Sequence, residues 1–180
     1  MDGFDINKAP LEIERKFLIE YPDIEELRAM PDYRRAHIEQ SYLEADGDFV
    51  GGRIRRITDD NGVKYVYTYK MRLSDMTRRE YEREISKAEY ELLLKRKAAD
   101  TITIVKDRHS FGYMGLVYEL DVYGFWDKTA TLEAEVDSED TPIPMPSCVR
   151  LIKEVTHDRR YNNSMLARSG GIITDYTNFN

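Results

Sequence analysis

Charged residues in this chain recur at every second position, segment after segment. Side chains alternate across a β-strand, so residues two apart share a face. Glu12, Glu14 and Lys16 fall on one face of a segment whose other face carries Ile13, Arg15 and Phe17. Arg53 and Arg55 go together, and Lys64, Val66, Thr68 and Lys70 lie opposite Tyr65, Tyr67 and Tyr69. Arg78, Glu80 and Glu82 follow, then Lys106 and Arg108, then Glu119 and Asp121 opposite Leu120 and Val122. Glu133 and Glu135 come last, opposite Leu132, Ala134 and Val136. In one strand this is the solvent face of a half-buried sheet. Two features of the set point elsewhere. Acids and bases are sorted by strand, and the cations are mainly Arg at paired positions, where a solvated face accepts Lys, Thr, Gln or Ser equally. Turning the charged face inward requires closing the sheet into a barrel whose apolar exterior is covered by helices. A barrel of about eight strands leaves room for one small ligand.

The elements fit that architecture. Strands are predicted over 11–19, 37–46, 50–58, 63–71, 78–85, 101–109, 114–124 and 130–137, joined by hairpin-length connections such as Asp59-Asp60-Asn61-Gly62. Short connections favour antiparallel neighbours. The fold class is therefore α+β: an eight-stranded antiparallel closed barrel with a charged lumen and helices packed outside. Helices are predicted over 21–33, over 86–97 behind an N-cap at Ser86 with Glu89 three residues on, and over 158–168. In the helix over 86–97, Leu92, Leu93 and Leu94 supply the apolar face. Pro142, Pro144 and Pro146 make 141–149 a loop. No repeat or linker divides the chain, so 1–180 reads as one domain with its core at about 10–167 and tails at 1–9 and 169–180.

Composition removes several functions. A formal net charge of −7 argues against a duplex-binding module. No apolar run approaches the roughly 18 residues that span a bilayer, and no signal peptide is visible. Cys148 is alone, which excludes a disulfide framework and a thiolate metal cluster. The expectation is a soluble cytoplasmic protein.

The lumen chemistry can be read from the same residues. Glu pairs offer the hard oxygen donors that Mg²⁺ or Mn²⁺ takes. Lys16, Arg53, Arg55, Lys70, Arg78, Lys106 and Arg108 offer guanidinium forks and ammonium point charges to phosphate oxygens. Together they describe a site for a polyphosphate with its divalent ion.

Glu12-Ile13-Glu14-Arg15-Lys16-Phe17 resembles the Glu-x-Glu-x-Lys signature of the CYTH, or triphosphate tunnel metalloenzyme, superfamily. The resemblance runs on in order through Arg53-Ile54-Arg55, Thr68-Tyr69-Lys70, Arg78-Arg79-Glu80-Tyr81-Glu82 and Lys106-Asp107-Arg108. It continues through Tyr118-Glu119-Leu120-Asp121-Val122, Leu132-Glu133-Ala134-Glu135-Val136, Glu154-Val155-Thr156 and Arg160-Tyr161-Asn162-Asn163. The resemblance implies an eight-stranded tunnel, divalent-metal dependence and a small-molecule triphosphate substrate, with no nucleic acid or membrane partner. Carried over by position, Glu12, Glu14, Glu133 and Glu135 look like metal ligands, with Glu80 and Glu82 completing the acidic wall. Lys16, Arg53, Arg55, Lys70, Arg78, Lys106 and Arg108 look like the phosphate cradle, and Lys16, Glu82 and Lys106 like the groups that move protons. The signature's form resembles that of small bacterial members that hydrolyse inorganic tripolyphosphate. Class IV adenylate cyclases of the superfamily usually carry His-Phe just before the signature, and this chain does not. Adenylate cyclisation and polyphosphate binding without turnover are the alternatives, and a homodimer is the assembly considered. His37, His109 and His157 lack metal spacing, Gly51-Gly52 reads as a tight bend rather than a P-loop, and the Tyr65/Tyr67/Tyr69 stripe reads as packing under a helix.

Overall fold

The computed structural model describes residues 11–46, 51–74 and 76–173; the expected lead-in 1–9 and the end of the expected tail, 174–180, lie outside the described residues. Among the described residues nine strands form one sheet: β1 (Leu11–Glu20), β2 (Arg34–Leu43), β3 (Gly52–Asp59), β4 (Gly62–Arg72), β5 (Thr77–Ile85), β6 (Ile104–Tyr113), β7 (Leu116–Tyr123), β8 (Thr129–Val136) and β9 (Leu151–Glu154). Their order is β5-β4-β3-β2-β6-β7-β8-β1-β9, and β5 also pairs with β1. That last pairing, Leu11 to Arg79 through Ile13 to Thr77, closes β1 to β8 into the antiparallel barrel that the alternating charges require. β9 is a ninth strand that the sequence reading does not contain. It takes the edge of β1 beyond the point where β5 leaves it, pairing Phe17 with Glu154 and Leu18 with Lys153.

The hydrophobic core lies largely outside the barrel. Phe17, Ile19, Leu120, Leu132 and Ala134 point away from the lumen and pack with Leu27 of α1 (Ile24–Arg28) and with Ile143, Met145 and Cys148 of the three-proline loop. The Tyr118 hydroxyl donates to the carbonyl of Pro144, which fastens that loop to the wall. α1 has five residues, against a predicted helix over 21–33. Asp23 accepts from the backbone N–H groups of Glu25 and Glu26 and sets its start. Pro31 disfavours helical backbone at Met30, so the helix cannot run on. On the other side, Tyr65, Tyr67 and Tyr69 pack with Ile54 and Ile85 beneath α2 (Lys87–Leu94), as the stripe predicts. Ser86 caps α2 by accepting from the Glu89 N–H. Tyr90 and Leu93 face the barrel, whereas Leu92 is exposed. Gly52 holds φ at +118°, and a Cβ there would sit 2.7 Å from the Thr68 carbonyl oxygen, so the bend before β3 needs glycine.

Two apolar layers interrupt the charged lumen. Ala36, Ile38, Ile57 and Val66 share the inward faces of β2, β3 and β4. Ile104 and Tyr123, inward on β6 and β7, pack with Leu166 and Ala167 of α3 (Asn163–Ser169), which follows a 3₁₀ turn at Arg159–Tyr161. The predicted helix over 158–168 is thus two pieces, and the second covers one end of the barrel. Packing continues past 169, because the Trp126 indole donates to the Gly171 carbonyl at 2.8 Å and Ile173 joins the cluster around Tyr161. Among the described residues no helix is long and apolar enough to cross a membrane.

His109 faces outward on β6, buried, with Nδ1 2.8 Å from the Tyr33 hydroxyl. Burial holds its imidazole below the ordinary histidine value. The folded state therefore binds its proton less readily than the unfolded chain. Stability is intact above the ordinary value of about 6.5 and is lost as pH falls through the lower folded value. The melting temperature should fall between pH 7 and 5, and His109→Gln should flatten that part of the profile; equal slopes for both proteins would refute the assignment.

Candidate active site

The inward faces enclose a cavity of about 670 Å³. Glu12, Glu14, Lys16, Arg53, Arg55, Lys70, Arg78, Glu80, Glu82, Arg108, Glu133 and Glu135 all line it. Of the residues given a metal, phosphate or proton-transfer role from the sequence, Lys106 alone does not line this cavity. It faces the barrel interior beyond the cavity, 2% exposed, bonded to the fully buried Asp121 and 5.7 Å from the centre of the Tyr123 ring.

Register explains the pairing. In an antiparallel sheet inward residues of neighbouring strands stand side by side. Arg78 is opposite Glu12, Lys70 opposite Glu80, Lys16 opposite Glu133 and Arg108 opposite Asp121. Each of these becomes an ion pair. Arg78 reaches Glu12 at 3.3 Å and also bonds Glu14. Lys70 bonds Glu80, which Arg53 also reaches at 3.2 Å. Lys16 Nζ is 2.8 Å from Glu133 Oε1. Arg108 holds Asp121 through Nε and Nη2 at 2.7 and 2.8 Å, reaches Glu133 at 3.2 Å and also bonds Glu119. Arg55 bonds Glu82 at the more open part of the wall.

The charges set one another's protonation. Burial, opposed by Glu133 and Glu14, leaves Lys16 above its ordinary value. Burial opposes ionisation of Glu133, but Lys16 and Arg108 hold it well below the usual carboxylate range. Burial, reinforced by Arg108, brings Lys106 down to about 8. Burial with Arg53 and Arg78 brings Lys70 to about 8, and burial with Arg53 brings Arg55 to about 10. Against burial, Arg53 and Lys70 hold Glu80 at about 2.

Some site residues carried no assigned role in the sequence reading. Asp121 shares its face with Glu119, but the register partner that makes it the anchor of Arg108 and Lys106 is not visible along the chain. Tyr42 lines the cavity and accepts from the buried Gln40 amide at 2.8 Å. Asn163 of α3 also lines it and accepts from the Tyr123 hydroxyl at 2.8 Å. Their signal was the parity of β2 and the Arg160-Tyr161-Asn162-Asn163 motif.

Among the described residues no three carboxylate, histidine or cysteine side chains form a group that would hold a metal ion, so the six candidate carboxylates are not brought together as one cluster. They stand instead as pairs of acids beside cations. Glu12 stands beside Glu80, and burial followed by the Glu80 charge raises its carboxyl above the ordinary value. Glu14 and Glu135 are directly opposite across β1 and β8. Acid pairs of this kind repel unless a proton or cation sits with them, and their hard oxygens fit a small divalent ion.

A closed antiparallel barrel with an ion-paired lumen defines a tunnel protein. The profile of the CYTH domain matches residues 10–144, and the chain belongs to the CYTH domain family. Among solved structures it is similar to the inorganic triphosphatase NE1496, at 30% identity over 87% of this chain and 94% of that one, with a TM-score of 0.56. A second structure of NE1496 gives 31% identity over 87% and 97%, with a TM-score of 0.57. PH1819 from Pyrococcus horikoshii OT3, 24% identical over 72% of this chain and 80% of that one with a TM-score of 0.55, shares the fold. No curated protein matches.

Removing one partner from a buried ion network leaves an uncompensated charge, at a cost of about 3–5 kcal/mol. Asp121→Asn should lower the melting temperature by about 6–20 °C for a chain of this size, while Glu82→Gln, on a side chain 45% exposed, should shift it by only a few degrees at most, on the order of 0–1 kcal/mol. Thermal melts followed by circular dichroism measure both.

Proposed function

We propose that this protein hydrolyses a triphosphate with the help of a divalent metal, inorganic tripolyphosphate being the foremost substrate. The observation that carries the reading is the ring of Lys16, Arg53, Arg55, Lys70, Arg78 and Arg108 around a cavity closed by strands on all sides. Similarity to the inorganic triphosphatase NE1496 supports it.

Each cation is already held on a carboxylate, so a phosphate chain that enters exchanges one oxyanion for another at a prepared position. Preorganised donors of this kind stabilise charge that develops in a transition state without reorganising when it forms. Arg53 and Arg55 present forks to phosphate oxygens and orient the chain; Lys16 and Lys70 act as point charges. Glu82 has solvent access and, among the described residues, an ion pair with Arg55 alone, which suits it to take a proton from the attacking water. Lys16 has its proton held by Glu133 and Glu14 and serves as a fixed charge. Lys106, at about 8, lies inside the barrel but off the cavity lining and supplies positive potential through Asp121 and Arg108 rather than contact. Glu12, Glu14, Glu80, Glu133 and Glu135 would hold Mg²⁺ or Mn²⁺, which when bound neutralises phosphate charge and makes water a better nucleophile.

Phosphate release from tripolyphosphate, ATP and thiamine triphosphate tests the reading. Turnover should require Mg²⁺ or Mn²⁺ and stop with EDTA. Glu14→Gln should abolish turnover by weakening metal binding. Arg55→Ala should leave metal affinity near normal and raise KM about 10–150-fold, the worth of one or two charge-assisted hydrogen bonds of about 1.5–3 kcal/mol in all. Thermal stabilisation by tripolyphosphate without product would indicate a binding module instead.

A further inference from the structure

β5 pairs with β1 only from Leu11 to Ile13, and β9 pairs with it only from Phe17 onward. Between them lies a seam in which the edge of β1 away from β8 has no full strand beside it, and Lys16 sits in that seam. The Glu14 N–H finds the Met76 carbonyl at 3.2 Å. The Lys16 N–H meets no backbone acceptor. It donates to the side chain of Thr156, Oγ1, at 3.0 Å. The Lys16 carbonyl accepts from the Val155 N–H at 2.8 Å. A hydroxyl therefore completes the hydrogen-bond ladder where the strands run out.

That hydroxyl is itself oriented. Thr156 Oγ1 donates to Glu154 Oε1 at 2.8 Å, and Glu154 receives Arg15 Nε and Nη2 at 2.9 and 2.7 Å. Arg15 Nη1 reaches on to the Thr141 carbonyl at 3.1 Å. Arg15 points outward from the same strand that aims Lys16 inward, so the network grips both faces of one short stretch of β1. Lys16 is 5% exposed and Thr156 9% exposed, which leaves no ready water to replace the bond. Glu154 and Thr156 lie beyond the segment matched by the CYTH profile, which ends at residue 144.

We propose that Thr156 is a positioning residue for Lys16: its hydroxyl, set by Glu154 and Arg15, fixes the β1 backbone from which the Lys16 ammonium reaches the cavity. The functional half of this rests on reading the cavity as a triphosphate site. Thr156→Val preserves shape and removes the acceptor. It should speed hydrogen exchange of the Lys16 amide and lower kcat/KM for tripolyphosphate by about 10–100-fold, the scale of a displacement near 1 Å. Thr156→Ser should restore both. A double-mutant cycle with Lys16→Met separates positioning from general loosening. If Thr156 acts through Lys16, Thr156→Val adds nothing in the Lys16→Met background; fully multiplying losses would overturn the proposal. Unchanged exchange at the Lys16 amide in Thr156→Val would overturn it as well. If the valine variant folds poorly, Glu154→Gln takes its place: it weakens the grip on the hydroxyl from the exposed side and should move both readouts in the same direction by less. Wild-type protein that neither binds nor hydrolyses tripolyphosphate would overturn the triphosphatase reading and the functional half with it, while the exchange measurement still decides whether the hydroxyl holds Lys16.

Discussion

Ionised side chains can be buried inside this barrel only because they neutralise one another. A lone charge moved from water to a protein interior is so unfavourable that it gives up its ionisation instead. Closure of β1 onto β5 prevents that outcome by making a ring in which every inward strand has two neighbours. Arg108 shows the result. One guanidinium meets acids from both β7 and β8, Glu119 and Asp121 on the first and Glu133 on the second. Without the closing pair, Arg78 and Glu12 would sit on open edges rather than opposite each other.

A charged interior obliges the apolar faces to point outward, and the accessory elements follow from that. Phe17, Leu120 and Leu132 would be exposed on a bare barrel, and α1 and the three-proline loop cover them. The tyrosines of β4 would be exposed on the other side, where α2 covers them. The prolines do not keep that loop from packing. They remove donors that a buried extended segment would have to satisfy, and the Pro144 carbonyl still accepts from Tyr118.

Parity was the legible part of the chain. A strand's period of two is local, so the sorting of Glu, Arg and Lys onto inward faces could be read from neighbours in sequence. The Ser86 cap was legible for the same reason. What could not be read depends on partners far away. β9 has four residues, all exposed, and no alternation to announce it; it exists because the edge of β1 is free there. Asp121 stands two residues from Glu119 and looks equivalent, yet register places it wholly buried between Arg108 and Lys106. Leu92, Leu93 and Leu94 suggested an apolar face, but the direction of α2 turns Tyr90 and Leu93 inward. The helix expected around 21–33 stops at Arg28 because Asp23 and Pro31 bracket it.

The same neutrality governs how the cavity meets a ligand. Its cations are occupied by carboxylates, so a phosphate chain bound as proposed would compete with Glu12, Glu14, Glu80, Glu82 and Glu133 for those groups. When an oxyanion takes Arg78, the acids it leaves behind face others across short gaps: Glu12 beside Glu80, and Glu14 opposite Glu135. Those acids must then gain protons or a cation, because like charges in a low-dielectric site raise each other's energy steeply. On the proposed reading, binding of a polyanion and uptake of positive charge would therefore be one event in this lumen. A cavity built only of arginines would bury like charges without partners, at a high cost to the folded state. The carboxylates that keep the empty barrel folded are the same groups that call for a counter-ion when it fills.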